Sequence, residues 1–326
     1  MSEPILQIKD LKVYFHLNEG VVKAVDGVSY QLNRGETLGL VGESGCGKSV
    51  SALSILQLID RPPAEIHSGE IHFEDKDLLE LTEKGMRSVR GCSISMIFQE
   101  PMTSLNPVLS IGFQIAEVLV LHQNMAYKEA IERTVDLLRL VGIPSPERRV
   151  KEYPHQLSGG MRQRTMIALA IGCSPKVLIA DEPTTALDVT TQAQILELMM
   201  GLQKELGTAI LLITHDLGII AETANRVAVM YAGKIVEEAD VITIFKDPLH
   251  PYTRGLLKSV PRIDKTDQRS RLEEIPGVVP DLSRLPEGCS FFERCNMRDK
   301  RCRPQEPELR PAGEGHLVRC WLYGNG

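Results

Sequence analysis

Residues Gly42-Glu43-Ser44-Gly45-Cys46-Gly47-Lys48-Ser49 follow the pattern G-x-x-x-x-G-K-[ST]. They stand between a strand-like run, Thr37-Leu38-Gly39-Leu40-Val41, and a helical pattern from about Lys48 to Ile59. Strand, glycine-rich turn and helix in that order make a loop whose backbone N–H groups turn inward around phosphate oxygens at a helix N-terminus. Lys48 adds a point charge for the β- and γ-phosphates, and the Ser49 hydroxyl suits Mg²⁺. Cys46 lies inside the loop at a position open to many residue types, so its thiol needs no chemical role. A loop of this kind predicts an α/β fold.

The surrounding pattern agrees. The first 35 residues carry alternating, β-branched stretches such as Leu11-Lys12-Val13-Tyr14-Phe15 and Val21-Val22-Lys23-Ala24-Val25, which predict short strands. From Ile111 to about Gly172 apolar residues recur at helical spacing, as in Ile131, Val135, Leu138 and Val141. Strands resume at Val177-Leu178-Ile179-Ala180 and at Ile210-Leu211-Leu212-Ile213. Such alternation predicts a largely parallel sheet with helices on its faces. The strand beginning at Val177 ends in Asp181-Glu182, where one carboxylate can orient Mg²⁺ through water and the next can polarise an attacking water. From about Asp247 prolines become frequent and periodicity fades, so we expect one body over residues 1–247 and an extension with little core of its own over 248–326.

Charge and hydropathy narrow the function classes. Among 326 residues, 43 acidic and 37 basic side chains leave a formal charge of −6. A mildly acidic chain is poorly matched to nucleic acid, whose phosphates call for a clustered positive face. No apolar run approaches the roughly 20 residues that span a bilayer, and Met1-Ser2-Glu3-Pro4 does not begin a signal segment. A cytosolic location is therefore expected.

Seven cysteines are present; Cys46, Cys92 and Cys173 are scattered, whereas Cys289, Cys295, Cys302 and Cys320 fall within the last 38 residues. In a reducing compartment this grouping reads as a metal site before disulfides. The spacing C-x5-C-x6-C-x17-C contains no C-x2–4-C hairpin of the zinc-knuckle kind. Four thiolates can hold Zn²⁺, but looser spacing suits a [4Fe–4S] cubane; free thiols or disulfides are the third reading. Arg294, Arg298, Lys300, Arg301, Arg303 and Arg319 lie nearby and would either offset an anionic cluster or form a solvated basic face.

Leu157-Ser158-Gly159-Gly160-Met161-Arg162-Gln163-Arg164 completes the picture. With this stretch between the loop and the acidic strand, the chain resembles the ATP-binding-cassette (ABC) ATPases, whose signature is LSGGQ followed by a basic helix. Met161 replaces the glutamine, as in the peptide-importer branch. The resemblance implies a P-loop cassette with a RecA-like core, an antiparallel β subdomain and a helical subdomain at about residues 100–175. It implies ATP and Mg²⁺ as cofactors, with Gly42, Ser44, Gly45, Cys46, Gly47, Lys48, Ser49 and Val50 around the phosphates. Ser158, Gly159 and Gly160 would face the ATP held by the other subunit of a head-to-tail dimer. Gln99, in Ile97-Phe98-Gln99-Glu100, resembles a glutamine that contacts Mg²⁺ and water; Ser49 and Asp181 would be its companions at the metal. Glu182 and His215 match the catalytic glutamate and the histidine that meets the γ-phosphate. Asp188, in Ala186-Leu187-Asp188, matches a residue near the dimer interface. Phe15 lies where the family stacks an aromatic ring on adenine, with Tyr14 as the adjacent competitor.

The tail narrows the branch. Asp247-Pro248-Leu249-His250-Pro251-Tyr252-Thr253 and Ile275-Pro276-Gly277 resemble the C-terminal extension of oligopeptide and dipeptide importer ATPases, with nickel importers carrying related tails. Tails of that branch are associated with an iron–sulfur cluster on four cysteines. The resemblance implies two membrane permease subunits, a second paralogous ATPase or a second copy of this chain, an external peptide-binding protein, no nucleic acid, and a peripheral place on the cytoplasmic face of the membrane. Two rivals fit worse. An ABC ATPase acting on DNA or the ribosome would carry two cassettes or long insertions, and a P-loop kinase would not need Leu157-Ser158-Gly159-Gly160.

Overall fold

The computed structural model describes residues 3–99, 104–185, 187–259 and 274–323; Glu100 and Ala186, quoted above, lie outside the described residues. In chain order the elements are β1 (Pro4–Leu17), β2 (Gly20–Asn33), β3 (Thr37–Val41), α1 (Lys48–Ile55), β4 (Ala64–Phe73), β5 (Lys76–Asp77), α2 (Glu83–Val89), β6 (Ile94–Ile97), α3 (Ile111–Gln123), α4 (Tyr127–Leu140), α5 (Pro146–Arg149), α6 (Gly159–Ile171), β7 (Val177–Asp181), α7 (Val189–Leu206), β8 (Ala209–Thr214), α8 (Leu217–Thr223), β9 (Arg226–Tyr231), β10 (Lys234–Asp240), α9 (Val241–Lys246), α10 (Pro251–Lys258), β11 (Arg310–Gly313) and β12 (His316–Val318). They fall into two compact units that interleave along the chain: residues 1–5, 32–36 and 80–212 form one, and residues 6–31, 37–79 and 213–326 the other.

In the first unit β6 and β7 run parallel, from Ile94 opposite Val177 to Ile97 opposite Ala180. Every residue of both strands is buried, which is why they read as unbroken apolar runs rather than alternating ones. Helices α3, α4 and α6 pack together. Their buried residues keep the helical spacing: Ile111, Ile115 and Leu119 on α3, and Ala130, Thr134, Leu137 and Leu138 on α4. Ser110, Ser158 and Asp188 cap α3, α6 and α7, each accepting a hydrogen bond from the backbone N–H three residues on.

The second unit holds two sheets. One has the order β2-β1-β4-β5; the other contains the run β11-β12-β10-β9-β3. β3 and β9 are parallel, β9 and β10 antiparallel, and β12 pairs antiparallel with β10 through Glu237 opposite Val318. Thus the proline-rich tail supplies strands, and its Tyr252, Phe291 and Val318 are buried in the same unit as the phosphate loop. Glu237, fully buried on β10, accepts the Leu249 N–H at 2.6 Å and the His250 N–H at 3.0 Å, and lies 2.8 Å from His316 Nε2. Lys234 bridges Asp26 on β2 at 3.1 Å and Glu306 in the tail at 2.7 Å.

The short strands expected at the start are two strands of 14 residues each. β1 passes its polar Lys9-Asp10 interruption through a register shift against β4, with Asp10 in the left-handed region at φ 44°.

Candidate nucleotide site and four-cysteine segment

The phosphate loop is built where the sequence places it, between β3 and α1 in the second unit. Gly42 and Gly47 have φ of +156° and +102°. A Cβ on Gly42 would stand 2.2 Å from the Met230 carbonyl oxygen, and one on Gly47 2.1 Å from that of Ala24, so no side chain fits at either position. Lys48 is buried and folds back over the loop it follows: its Nζ donates to the carbonyls of Gly42 at 2.8 Å and Glu43 at 3.0 Å. Ser44 and Gly45 are exposed at the loop tip, while Ser49 and Val50 are half-buried in the first turn of α1. Burial raises the Cys46 thiol above its ordinary range, in keeping with a packing role.

Tyr14 and Phe15 part company on β1. The Tyr14 hydroxyl donates to Asp26 Oδ1 at 2.7 Å, and its ring stacks on His67 with centroids 4.9 Å apart. Burial, then the hydrogen bond to Asp26, push its pKa up. Strand alternation turns Phe15, half-buried, to the opposite face. His215 is exposed directly after β8; the next residue, Asp216, caps α8 by accepting from Gly218 N–H at 2.8 Å and Ile219 N–H at 3.3 Å.

The first unit holds the other motif residues. Asp181 ends β7 and is buried. Glu182 follows in the left-handed region at φ 46°, a conformation costing a non-glycine residue about 1 kcal/mol or more. Its Oε2 accepts Gln99 Nε2 at 3.1 Å and the Thr185 hydroxyl at 2.9 Å. Gln163, behind the signature, donates to the Pro183 carbonyl and so ties α6 to the turn that carries Glu182. Ser158 and Gly159 are exposed at the start of α6. Gly160 faces Thr191, whose Cγ2 would lie 2.9 Å from a Cβ there, while the Thr191 hydroxyl donates to Asp188 Oδ2 at 2.7 Å. The structure thus brings Gly160 and Asp188 together through Thr191. Hydrogen bonds from Thr191, the backbone one foremost, hold the Asp188 carboxyl below its usual range. Thr185 and Thr191 carry no motif signal of their own.

Cys289, Cys295, Cys302 and Cys320 all line one cavity, together with His250, Phe291, Phe292 and Met297. The Cys289 N–H donates to the Cys302 carbonyl at 2.8 Å, and the N–H groups of Met297 and Asp299 donate to the sulfurs of Cys295 (3.4 Å) and Cys302 (3.5 Å). Burial pushes the Cys289 thiol up to about 12 and that of Cys320 to about 11; a bound cation reverses that preference by favouring thiolate. The four thiols thus share the lining of one cavity, and two of their sulfurs accept backbone N–H groups. Among the described residues no group of three or more His, Cys, Asp or Glu side chains stands close enough together to hold a metal ion. Several of the basic residues nearby have other partners. Arg294 pairs with Glu43, Arg301 with Asp299, and Arg319 donates to the carbonyls of Ile235 and Pro307. Among the described residues no helix is long and apolar enough to cross a membrane.

Known proteins are similar to this chain over nearly all of its length. A family model described as ABC transporter matches residues 25–185, and one described as the oligopeptide/dipeptide transporter C-terminal region matches 236–302. The oligopeptide transport ATP-binding protein AppD of Bacillus subtilis is 54% identical, with 98% of this chain and 97% of the relative covered. The dipeptide transport ATP-binding protein DppD of the same organism is 51% identical over 98% and 95%. Among solved structures, the dimeric ABC transporter cassette MJ0796 superposes with a TM-score of 0.65 at 26% identity, covering 72% of this chain and 98% of that one. The same cassette is known in a post-hydrolysis state bound to ADP and Pi. The fold is that of a P-loop ABC ATPase cassette, an ATP hydrolase coupled to transport. This chain belongs to the family of ATP-binding subunits of ABC transporters that carry the oligopeptide/dipeptide transporter C-terminal region.

Proposed function

We propose that this protein powers the import of dipeptides or oligopeptides as the ATPase subunit of a membrane transporter, peripheral to the cytoplasmic face. The observation that supports the reading best is the tandem of an ABC cassette and an oligopeptide/dipeptide transporter C-terminal region in a chain 54% identical to AppD over 98% of its length. In this reading residues 1–247 are the cassette, with a helical subdomain at about 100–175, and residues 248–326 the importer extension. Phe15 stacks on adenine. Gly42 and Ser44 to Val50 surround the phosphates with backbone N–H groups and the Lys48 ammonium. Ser49, Gln99 and Asp181 serve Mg²⁺, Glu182 polarises the attacking water, and His215 meets the γ-phosphate. Ser158, Gly159 and Gly160, with Asp188 beside them, close on the ATP of a second ATPase, either a paralogue or another copy of this chain. ATP binding closes the pair and hydrolysis reopens it. The motion passes to two permease subunits, and an external binding protein delivers the peptide.

The same reading assigns Cys289, Cys295, Cys302 and Cys320 to one [4Fe–4S] cluster. It is supported by the single cavity that all four line and by the N–H groups directed at the Cys295 and Cys302 sulfurs. When bound, such a cluster would act as a cross-link for a segment with little regular structure.

The transport reading is tested in proteoliposomes holding the two permeases and both ATPases. Binding protein loaded with a short peptide should raise ATP turnover and carry labelled peptide inward. Stimulation by Ni²⁺ in place of peptide would overturn the substrate assignment.

A further inference from the structure

One ion pair joins the cysteine segment to the phosphate loop. Arg294, next to Cys295 and buried, forks onto the second residue of the loop: Nη1 donates to Glu43 Oε2 at 2.7 Å and Nη2 to Oε1 at 3.0 Å. Its Nε donates to the Pro276 carbonyl at 3.1 Å, which fixes the plane of the guanidinium. The backbone of Glu43 is held from the same side, because its N–H donates to the Tyr252 hydroxyl at 2.8 Å. Tyr252 in turn packs on Tyr231 and Phe291, with centroids 4.6 and 5.6 Å away, and Phe291 lines the cavity that the four cysteines share. Glu43 is not a bystander in the loop: its carbonyl is one of the two oxygens that accept Lys48 Nζ.

We propose that Arg294 is a positioning residue for ATP, setting the phosphate loop through Glu43 so that the cysteine segment of the tail tunes nucleotide affinity. The guanidinium, 5% exposed at its side chain, leaves Glu43 little freedom while the pair persists. A shift of Glu43 moves a carbonyl that holds Lys48, and Lys48 is the charge that meets the β- and γ-phosphates. Any change that rearranges the chain between Cys289 and Cys302 moves Arg294 with it, since Arg294 sits inside that stretch. The fork geometry matters as well as the charge, because an ammonium cannot hold both carboxylate oxygens in one plane.

The proposal rests on the reading of Gly42–Ser49 as the ATP loop, and its cysteine arm on the metal reading. The test uses the full-length protein and its reconstituted complex, with a fluorescent ATP analogue for affinity. Arg294→Met should weaken analogue binding and raise the KM for ATP about tenfold with kcat within about twofold, the mark of lost uniform binding. Arg294→Lys should recover less than half of the loss. The double variant Glu43→Gln/Arg294→Met should be no worse than Arg294→Met alone, since both changes break one interaction. Additive losses, or an unchanged KM with a lowered melting temperature, would reduce Arg294 to a structural tie and overturn the proposal. If Arg294→Met fails to fold, Glu43→Gln, at the half-exposed end of the pair, carries the same expectation with a smaller shift. In the second arm, metal is stripped from wild type and from Arg294→Met with a chelator and oxidant, and iron and zinc are measured on the same samples. Stripping should weaken analogue binding several-fold in wild type and leave Arg294→Met unchanged. Equal responses would overturn the coupling. No metal in either sample would reject the metal reading and overturn the tuning of nucleotide affinity by the cysteine segment.

Discussion

The side-chain amide of Gln99 donates to Oε2 of Glu182 at 3.1 Å, and Thr185 donates to the same oxygen at 2.9 Å. Two donors on one oxygen fix the direction of the carboxylate at the end of a strained turn. A group meant to orient a water molecule needs that kind of restraint.

Changing Glu182→Gln keeps the shape and loses the charge. ATP turnover in the reconstituted complex should fall by about 10²-fold or more, while nucleotide binding persists and an ATP-bound dimer accumulates. Turnover near that of wild type would remove Glu182 from the chemistry.

The start of α6 offers a cleaner separation of fold from docking. A Cβ at Gly159 meets nothing within 4 Å, so Gly159→Arg is tolerated by the chain and obstructs whatever lands on it. Both Gly159→Arg and Ser158→Arg should abolish ATP-driven dimerisation, read by size-exclusion with light scattering. Their affinity for ATP as monomers should stay within about threefold, with Ser158→Arg also losing about 1 kcal/mol of cap stability. Equal loss of monomer affinity would place the signature against its own subunit's nucleotide.

Anaerobically purified protein should be brown, absorb broadly near about 400 nm, and contain about four irons per chain. Serine at any one of Cys289, Cys295, Cys302 or Cys320 should lower the iron, whereas serine at Cys92 or Cys173 should not. Stoichiometric zinc without iron would replace the cluster with a single ion. Four alkylatable thiols in protein never exposed to oxygen would exclude both.

Glu237 makes a prediction about stability alone. Its removal in Glu237→Ala leaves the Leu249 and His250 N–H groups and the His316 ring without their buried acceptor. The cost should be about 3 kcal/mol or more, seen as a lowered denaturation midpoint at unchanged slope. Glu237→Gln, which keeps an acceptor of similar shape, should lose less. A shift below about 0.5 kcal/mol for the alanine variant would show that water replaces the carboxylate at no cost.

What was legible in the sequence is what chemistry demands in contiguous runs. The phosphate loop needs glycines where Met230 and Ala24 carbonyls press on it, and the signature and acidic strand are equally local. What was not legible depends on partners distant in the chain. Glu43 and Arg294 are 251 positions apart, and Glu237 and His316 are 79 apart; neither pair leaves a trace in spacing. Thr191 is an unremarkable helix residue until the fold sets it between Gly160 and Asp188. The basic residues around the cysteines left two readings open, an offset to an anionic cluster or a solvated face; that Arg294, Arg301 and Arg319 each have a separate partner could not be read from their spacing. β1 reads as short because a register shift at Lys9–Lys12 hides its continuity.

β10 meets β12 along one side, and β11, carrying Pro311, lies outside β12. An engineer who trims the tail to obtain a minimal ATPase would therefore expose a row of backbone donors and acceptors on a strand rich in buried residues, the template for edge-to-edge aggregation. The proline on the outermost strand is what keeps the intact chain from offering the same invitation. Expression boundaries for this protein belong after Cys320, which keeps β12 and all four clustered cysteines.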